Sequence, residues 1–329
     1  EVPFEKKVEL ALSCEQAAFD FDKRITNTYG TSFEEKRIRV VIATHNSDPI
    51  FYEATRFELG CVPVAESNGQ KRLGMWLSAT RLLSNLASPE EIGRTAAKRA
   101  VQMLGATKPE TQKATVVFDP LTGIEFVRHI FEALDGERVL KGTSFLKDKL
   151  GQEVAAKDVS FIDDGRMPRG LGSRPFDAEG IPTRKTVAID GGVLSSYFYH
   201  FSSAKKAGTR STGNARRGYA RIPEVGENNF YLVPHEIAPG EVIAQVEKGV
   251  LVTRLLGFGV NITTGDYSRG AEGLWIEKGR ITHPVDGITI ASNLQEMLKG
   301  IELVGSDLRF FGRLGSPTFS IREMTVAGK

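Results

Sequence analysis

The stretch GLWIEKGRIT, residues 273–282, reads as two β-strands folded back on one another through a hairpin turn at Lys278–Gly279, with Trp275 on the incoming strand. The pattern recurs on either side of it. VSFIDDG (159–165), KTVAIDGGVLSSYFYHF (185–201), GVLVTRLLGFGV (249–260) and TFSIREMTV (318–326) are short β-rich runs punctuated by glycine, and many of the chain's 34 glycines fall between them. That spacing predicts a β-rich domain with tight turns. One late helix is expected at ITIASNLQEMLKGI (288–301), with Ser292 or Asn293 as its cap. Upstream, ATVVFDP (114–120) reads as a buried strand, a helix follows over about 121–135, and FLKDKLGQEVA (145–155) is a further helix or a loop.

The first third of the chain has a different texture. Residues 5–22 predict an amphipathic helix with Val8, Leu12 and Phe19 near one face. Residues 38–46 and 51–67 alternate like antiparallel strands joined by a Ser47–Asp48–Pro49 turn. In SPEEIGRTAAKRAVQMLG (88–105), Ser88 caps a helix, Pro89 opens it, Glu90 and Glu91 fill its first turn and Gly105 ends it. Lys108 to Lys113 is a polar linker. The expectation is therefore an α+β protein: a helix and antiparallel-sheet part over 1–112, followed by a larger β-rich domain over 113–329.

Composition narrows the function. A chain of 329 residues suffices for about two domains. Its 43 Lys plus Arg against 41 Asp plus Glu give no basic excess, which argues against nucleic acid as the main partner. No apolar run approaches the ~20 residues of a membrane span, and no signal peptide opens the chain, so a cytoplasmic protein is expected. Cys14 and Cys61 form no CxxC and read as buried thiols. The chain starts at Glu1 rather than Met, as expected of a fragment or a processed form.

Four motifs bear on chemistry. VRHIFEALDGERVLKGTS (127–144) places His129 and Glu132 one helical turn apart, but a catalytic zinc needs three protein ligands and His45, His200, His235 and His283 each stand alone. His129 therefore reads as a packing or surface residue. FIDDG (161–165), with Asp177 and Glu179 nearby, offers paired carboxylates, though a strand ending in an Asp-Asp-Gly turn is the plainer reading. The basic stretch 203–221 carries Lys205, Lys206, Arg210, Arg216, Arg217 and Arg221 with Tyr219; it is either a solvated loop or a cradle for a phosphate or carboxylate. Asp266, Tyr267 and Arg269 cluster ahead of the strand that carries Trp275, with no nucleophile and base among them.

Three long segments, 160–220, 261–298 (NITTGDYSRGAEGLWIEKGRITHPVDGITIASNLQEML) and 315–329 (GSPTFSIREMTVAGK), resemble in order the TldD/PmbA family, whose members have been called modulators of DNA gyrase and act as a zinc metallopeptidase system. The resemblance implies a further N-terminal domain that this chain lacks. In the TldD branch, HExxxH on the helix before KGTS and a cysteine near the C-terminus hold the zinc. Counting back from Lys141–Ser144, those helix positions fall on Val127, Arg128 and Glu132, and no cysteine follows Cys61. The chain thus resembles the PmbA (TldE) branch, the metal-free companion. The resemblance implies no cofactor in this chain, zinc in a TldD-type partner, pairing with that subunit as a heterodimer or with itself as a homodimer, and unfolded or extended peptides as substrate. Alone, the chain is expected not to be catalytic; the alternative is a stand-alone homodimeric peptide-binding protein. Asn214, Arg216 and Arg217 match the family's TGN-x-RR segment. With Asp266, Tyr267 and Arg269 they are the residues expected to line the substrate cleft or the subunit contact.

Overall fold

The computed structural model of the chain describes residues 1–45 and 47–329, and the backbone only at Ser47. The chain divides into two compact units, Glu1–Val40 with Phe51–Thr107 and Val41–Ile50 with Lys108–Lys329.

In the first unit, helix α1 (Phe4–Phe19) precedes two long strands, β1 (Ile25–Thr44) and β2 (Ser47–Ser67), then β3 (Gln70–Leu73), β4 (Trp76–Thr80) and helix α2 (Pro89–Val101). The sheet runs β1-β2-β3, with β4 also paired to β2. The helix at Ser88 starts as its sequence predicts: the Ser88 hydroxyl accepts from the Glu91 N–H at 3.1 Å. Two readings change. Ser47, Asp48 and Pro49 lie in β2 rather than in a turn, and Asn46, the last residue of the strand expected over 38–46, lies outside the described residues. Val8 and Leu12 are exposed; α1 instead buries Cys14, Ala17 and Ala18. The cause is α2, which packs so closely that a Cβ on Gly93 would stand 2.1 Å from the Cys14 carbonyl oxygen. Only small side chains fit that seam. There Cys14 and Cys61, both fully buried, share a hydrogen bond that holds the Cys14 thiol protonated.

The second unit begins with β5 (Gln112–Phe118), α3 (Pro120–Ala133) and α4 (Gly136–Lys141). There follow β6 (Phe161–Asp164), β7 (Lys185–Asp190), β8 (Val193–Leu194), α5 (Phe201–Lys206), β9 (Ala215–Arg216), β10 (Glu224–Val225) and β11 (Phe230–Leu232). The chain closes with α6 (Pro239–Ala244), β12 (Lys248–Leu256), β13 (Asp266–Glu277), β14 (Arg280–Asn293), α7 (Leu294–Lys299), β15 (Ile301–Val304), β16 (Arg309–Phe311), β17 (Leu314–Ser316) and β18 (Phe319–Ala327). One sheet has the order β14-β13-β12-β5-β18-β15, and because β14 pairs with β18 as well, five of its strands close on themselves. The other has the order β16-β17-β11-β6-β7-β8. The architecture is the expected α+β arrangement with a larger β-rich part.

The hairpin forms at the predicted pair: Lys278 and Gly279 adopt φ of 48° and 72°, the left-handed geometry that a two-residue turn requires. The helix expected over 288–301 is shorter. Residues 288–293 instead complete β14 against β13, with Ile288 and Ile290 buried, and α7 begins only after Asn293, whose side chain accepts from the Gln295 N–H at 3.0 Å. β-Branched residues that can extend a ladder on a buried face do so. Residues 145–155 contain no helix.

Helix α3 packs against strands of both sheets, β12 of the first and β11 and β17 of the second. Phe126 stacks with Phe118 and Phe319 on one side, at centroid distances of 6.5 and 5.4 Å, while Phe131 meets Phe198 and Phe230 on the other at 4.9 and 5.2 Å. Gly123 permits the approach to β17, where a Cβ would fall 2.3 Å from Ser316 Oγ. No described helix is long and apolar enough to cross a membrane.

Candidate functional site

Helix α3 starts where Asp119 accepts from the Thr122 N–H at 2.8 Å and Pro120 takes the first position. Its end is set by Asp135, which accepts from the Glu137 N–H at 2.8 Å and so caps α4. At this junction lies a cleft of about 410 Å³, lined by Phe131, Glu132, Asp135, Glu137, Arg138, Lys141 and Thr143 from the helices and by Glu224 and Val225 of β10. β10 is antiparallel to β9, with Glu224 opposite Arg216 and Val225 opposite Ala215. β10 thus lines the cleft beside α3 and α4, and the TGN-x-RR segment supplies the strand paired with it.

The cleft is rich in carboxylates, some of them partly buried. Burial pushes the Glu132 carboxyl above its usual range; Glu125 and Glu227 push the same way, and Arg138 and Arg128 oppose them. Burial likewise raises Asp135. Glu137 moves the other way because Lys141 hydrogen-bonds it at 2.8 Å. Its second oxygen faces His200 Nε2 at 3.6 Å, and His200 Nδ1 faces Glu179 at 3.8 Å.

The three degenerate zinc-motif positions do not converge. Val127 is fully buried in the core, Arg128 points outward and pairs with Glu125 at 3.6 Å, and only Glu132 lines the cleft. Among the described residues, no three His, Cys, Asp or Glu side chains are grouped so as to hold a metal ion. A valine has no lone pair to give and an arginine stays charged and donor-only. The residues at this site do not fit a zinc ion.

The six residues expected at a cleft or contact separate into two places. Asn214 is fully buried, and its Nδ2 donates to Asp163 Oδ2 at 2.8 Å. Arg216 is part-exposed and pairs with Glu227 at 2.7 Å; Arg217 is exposed. Asp266, Tyr267 and Arg269 lie on β13, elsewhere along α3. Asp266 is exposed and accepts from the Thr264 hydroxyl at 2.6 Å. Tyr267 is 1% exposed, its hydroxyl has no hydrogen-bond partner, and its ring meets His129 edge-on at 6.1 Å. Arg269 is also buried, 3.9 Å from Glu125. Burial, reinforced by Arg269 and Arg128, drives the His129 imidazole down to about 4, so it packs in the neutral form.

The strand β6 does end in a turn after Asp163–Asp164, with Asp164 accepting from the Arg166 N–H at 2.8 Å, but two carboxylates, Asp163 and Asp177, also anchor the TGN segment. Asp163 is fully buried on β6 and accepts from Asn214 Nδ2, the Asn228 N–H at 2.9 Å and Asn228 Nδ2 at 2.9 Å. Burial raises its carboxyl to about 6. Asp177 accepts from the N–H groups of Glu179, Ile181 and Ala215 at 2.9, 3.0 and 3.0 Å. The sequence did contain the signal, two acidic residues near a glycine-rich loop. Their depth in the fold is a tertiary property. Asp135 and Glu224 carried no signal beyond ordinary helix-cap and loop chemistry.

Comparison with known proteins follows the same chain order. Residues 1–104 match the PmbA/TldA metallopeptidase central domain and residues 111–328 its C-terminal domain. The Escherichia coli O157:H7 protein named metalloprotease PmbA is 34% identical over 329 residues, which is all of this chain and 71% of that protein. A Buchnera aphidicola homologue of metalloprotease TldD is 28% identical over 222 residues, 63% of this chain and 46% of that protein. Among solved structures, a Thermotoga maritima protein described as a candidate modulator of DNA gyrase superposes with a TM-score of 0.92 at 28% identity, over 99% of this chain and 75% of that one. TldE from Thermococcus kodakarensis shares the fold, with a TM-score of 0.91 at 23% identity over 100% and 75% of the two chains.

Proposed function

The chain belongs to the PmbA/TldD metallopeptidase family, and from that membership we propose that it is the metal-free subunit of a zinc peptidase pair that acts on unfolded or extended peptides. One observation carries the reading: the helix positions that would supply the metal's ligands and base hold Val127, Arg128 and Glu132, of which a single side chain reaches the cleft. In this reading the zinc belongs to a TldD-type partner subunit. The chain's own contribution is the cleft between α3, α4 and the β9–β10 ribbon. An extended peptide would be held there by main-chain pairing along a strand edge and by the surplus of carboxylates around Glu132.

The test has two arms. Elemental analysis of the purified chain is expected to find no stoichiometric zinc. Peptide cleavage is expected from a mixture with a TldD-type subunit and not from the chain alone. Tight, chelator-removable zinc at one equivalent would falsify the metal-free reading. An unchanged rate on mixing, together with peptide binding by the isolated chain, would instead favour a stand-alone homodimeric binding protein.

A further inference from the structure

Away from the cleft at Glu132, a second cleft of about 510 Å³ lies between the segment after β8 and the loop that follows α5. Its walls are tied together. The Thr212 N–H donates to the Tyr199 carbonyl at 3.0 Å, the Tyr199 N–H donates to the Thr212 hydroxyl at 2.8 Å, and the Ser211 hydroxyl donates to the same carbonyl at 3.2 Å. Gly208, at φ of 67°, turns the chain out of α5 so that Thr209 and Arg210 face the space. Arg184 enters from the opposite wall, where one terminal nitrogen donates to the Ser211 carbonyl at 2.9 Å and fixes the guanidinium in place.

The lining has an unusual charge pattern. It contains two guanidinium groups and no carboxylate. Arg210 pairs with no acidic group among the described residues, and Arg184 has only a neutral carbonyl. Two cations facing one cleft without a counter-charge repel one another until an anion is shared between them. A guanidinium presents its donors in a plane that matches an oxyanion. Ser196, Tyr197, Tyr199 and Thr209 complete the lining as neutral polar residues.

We propose that this cleft is an oxyanion-binding site, read by Arg184 and Arg210 and distinct from the cleft at Glu132. The ligand chemistry is a carboxylate or a phosphate. In a protein that handles peptides, the nearest source of the first is a free peptide C-terminus. The site stands whether or not the chain works with a zinc-bearing partner, because its test requires no cleavage.

Calorimetric titration of the whole chain at low ionic strength distinguishes the sources. The probes are inorganic phosphate, an N-acetylated tripeptide with a free C-terminal carboxylate, and the same tripeptide as its C-terminal amide. At least one oxyanion probe is expected to bind with Kd below about 1 mM. Arg210→Gln, an exposed position with no internal partner, is expected to weaken it by about tenfold or more. Binding of the free acid but not the amide assigns the site to a peptide terminus, and binding of phosphate alone assigns it to a phosphate. Arg184→Gln serves as the second variant, with circular dichroism as the folding control. The proposal is overturned if no probe binds, if the amide binds as well as the free acid while phosphate does not bind, or if both variants bind like the unaltered chain.

Discussion

Asp163 and His129 are buried titratable groups whose linkage to folding runs in opposite directions. The His129 value falls from 6.5 to about 4, so between those values the unfolded chain binds more protons and stability is lost as pH drops. The Asp163 value rises from 3.8 to about 6, so in that window the folded chain binds more protons and stability is lost as pH climbs. Each effect amounts to roughly 3 kcal/mol at most, and over pH 4–6 they largely cancel. The unaltered chain should therefore show little pH dependence from this pair. His129→Leu is expected to expose the Asp163 slope, with midpoints in urea falling from pH 4 to 6. Asp163→Asn is expected to expose the His129 slope and to cost about 2–3 kcal/mol at pH 7, because an amide nitrogen then faces Asn214 and Asn228 donors. Urea titrations at pH 4.5, 6 and 7 check both, and parallel slopes in the two variants would contradict the assignment.

The β9–β10 ribbon carries the family segment on one strand and part of the cleft lining on the other, and the Arg216 stem lies against Gly226. A Cβ on Gly226 would sit 2.0 Å from Arg216 Cδ, so the arginine stem covers that glycine on its way to Glu227. Gly226→Ala should dislodge Arg216, since the clash reaches its Cγ and Cβ as well as Cδ. If the ribbon forms the cleft wall, mixed-complex peptidase activity should fall by about twofold to fivefold in Gly226→Ala and in Arg216→Ala, as a part-exposed ion pair is worth up to about 1 kcal/mol. Arg217→Ala, at an exposed position, should leave activity close to unchanged. Loss in Arg217→Ala alone would mean that the contact lies on the outer side of the loop.

At the scale of the whole molecule, the aromatic core that contains α3 is drawn entirely from residues between Ala114 and Val326. Among the described residues it spans both sheets of the second unit. A chain of residues 108–329 is therefore expected to fold alone, with a cooperative thermal transition and a near-native circular dichroism spectrum. A broad, non-cooperative melt would show that this core needs the first unit to form.

Local chemistry was enough for part of this protein. The Lys278–Gly279 turn, the Ser88 cap and the start of α3 were legible because a turn residue or a capping hydroxyl acts on backbone within a few positions of itself. The family segments were legible for the same reason: an ordered run of residue types survives without knowledge of what touches what. The sequence also established that Val127 and Arg128 cannot bind a metal, since that follows from side-chain chemistry alone. What required the tertiary structure was depth and convergence. Residues 288–293 looked helical until β13 offered them a ladder, and of the two carboxylates before the turn at Gly165, Asp164 caps that turn while Asp163 is enclosed by Asn214 and Asn228, 51 and 65 positions away. Burial and meeting are set by the sum of contacts over the whole chain, and so Tyr267 is enclosed beside His129 while Glu132 opens into a cleft with Glu224.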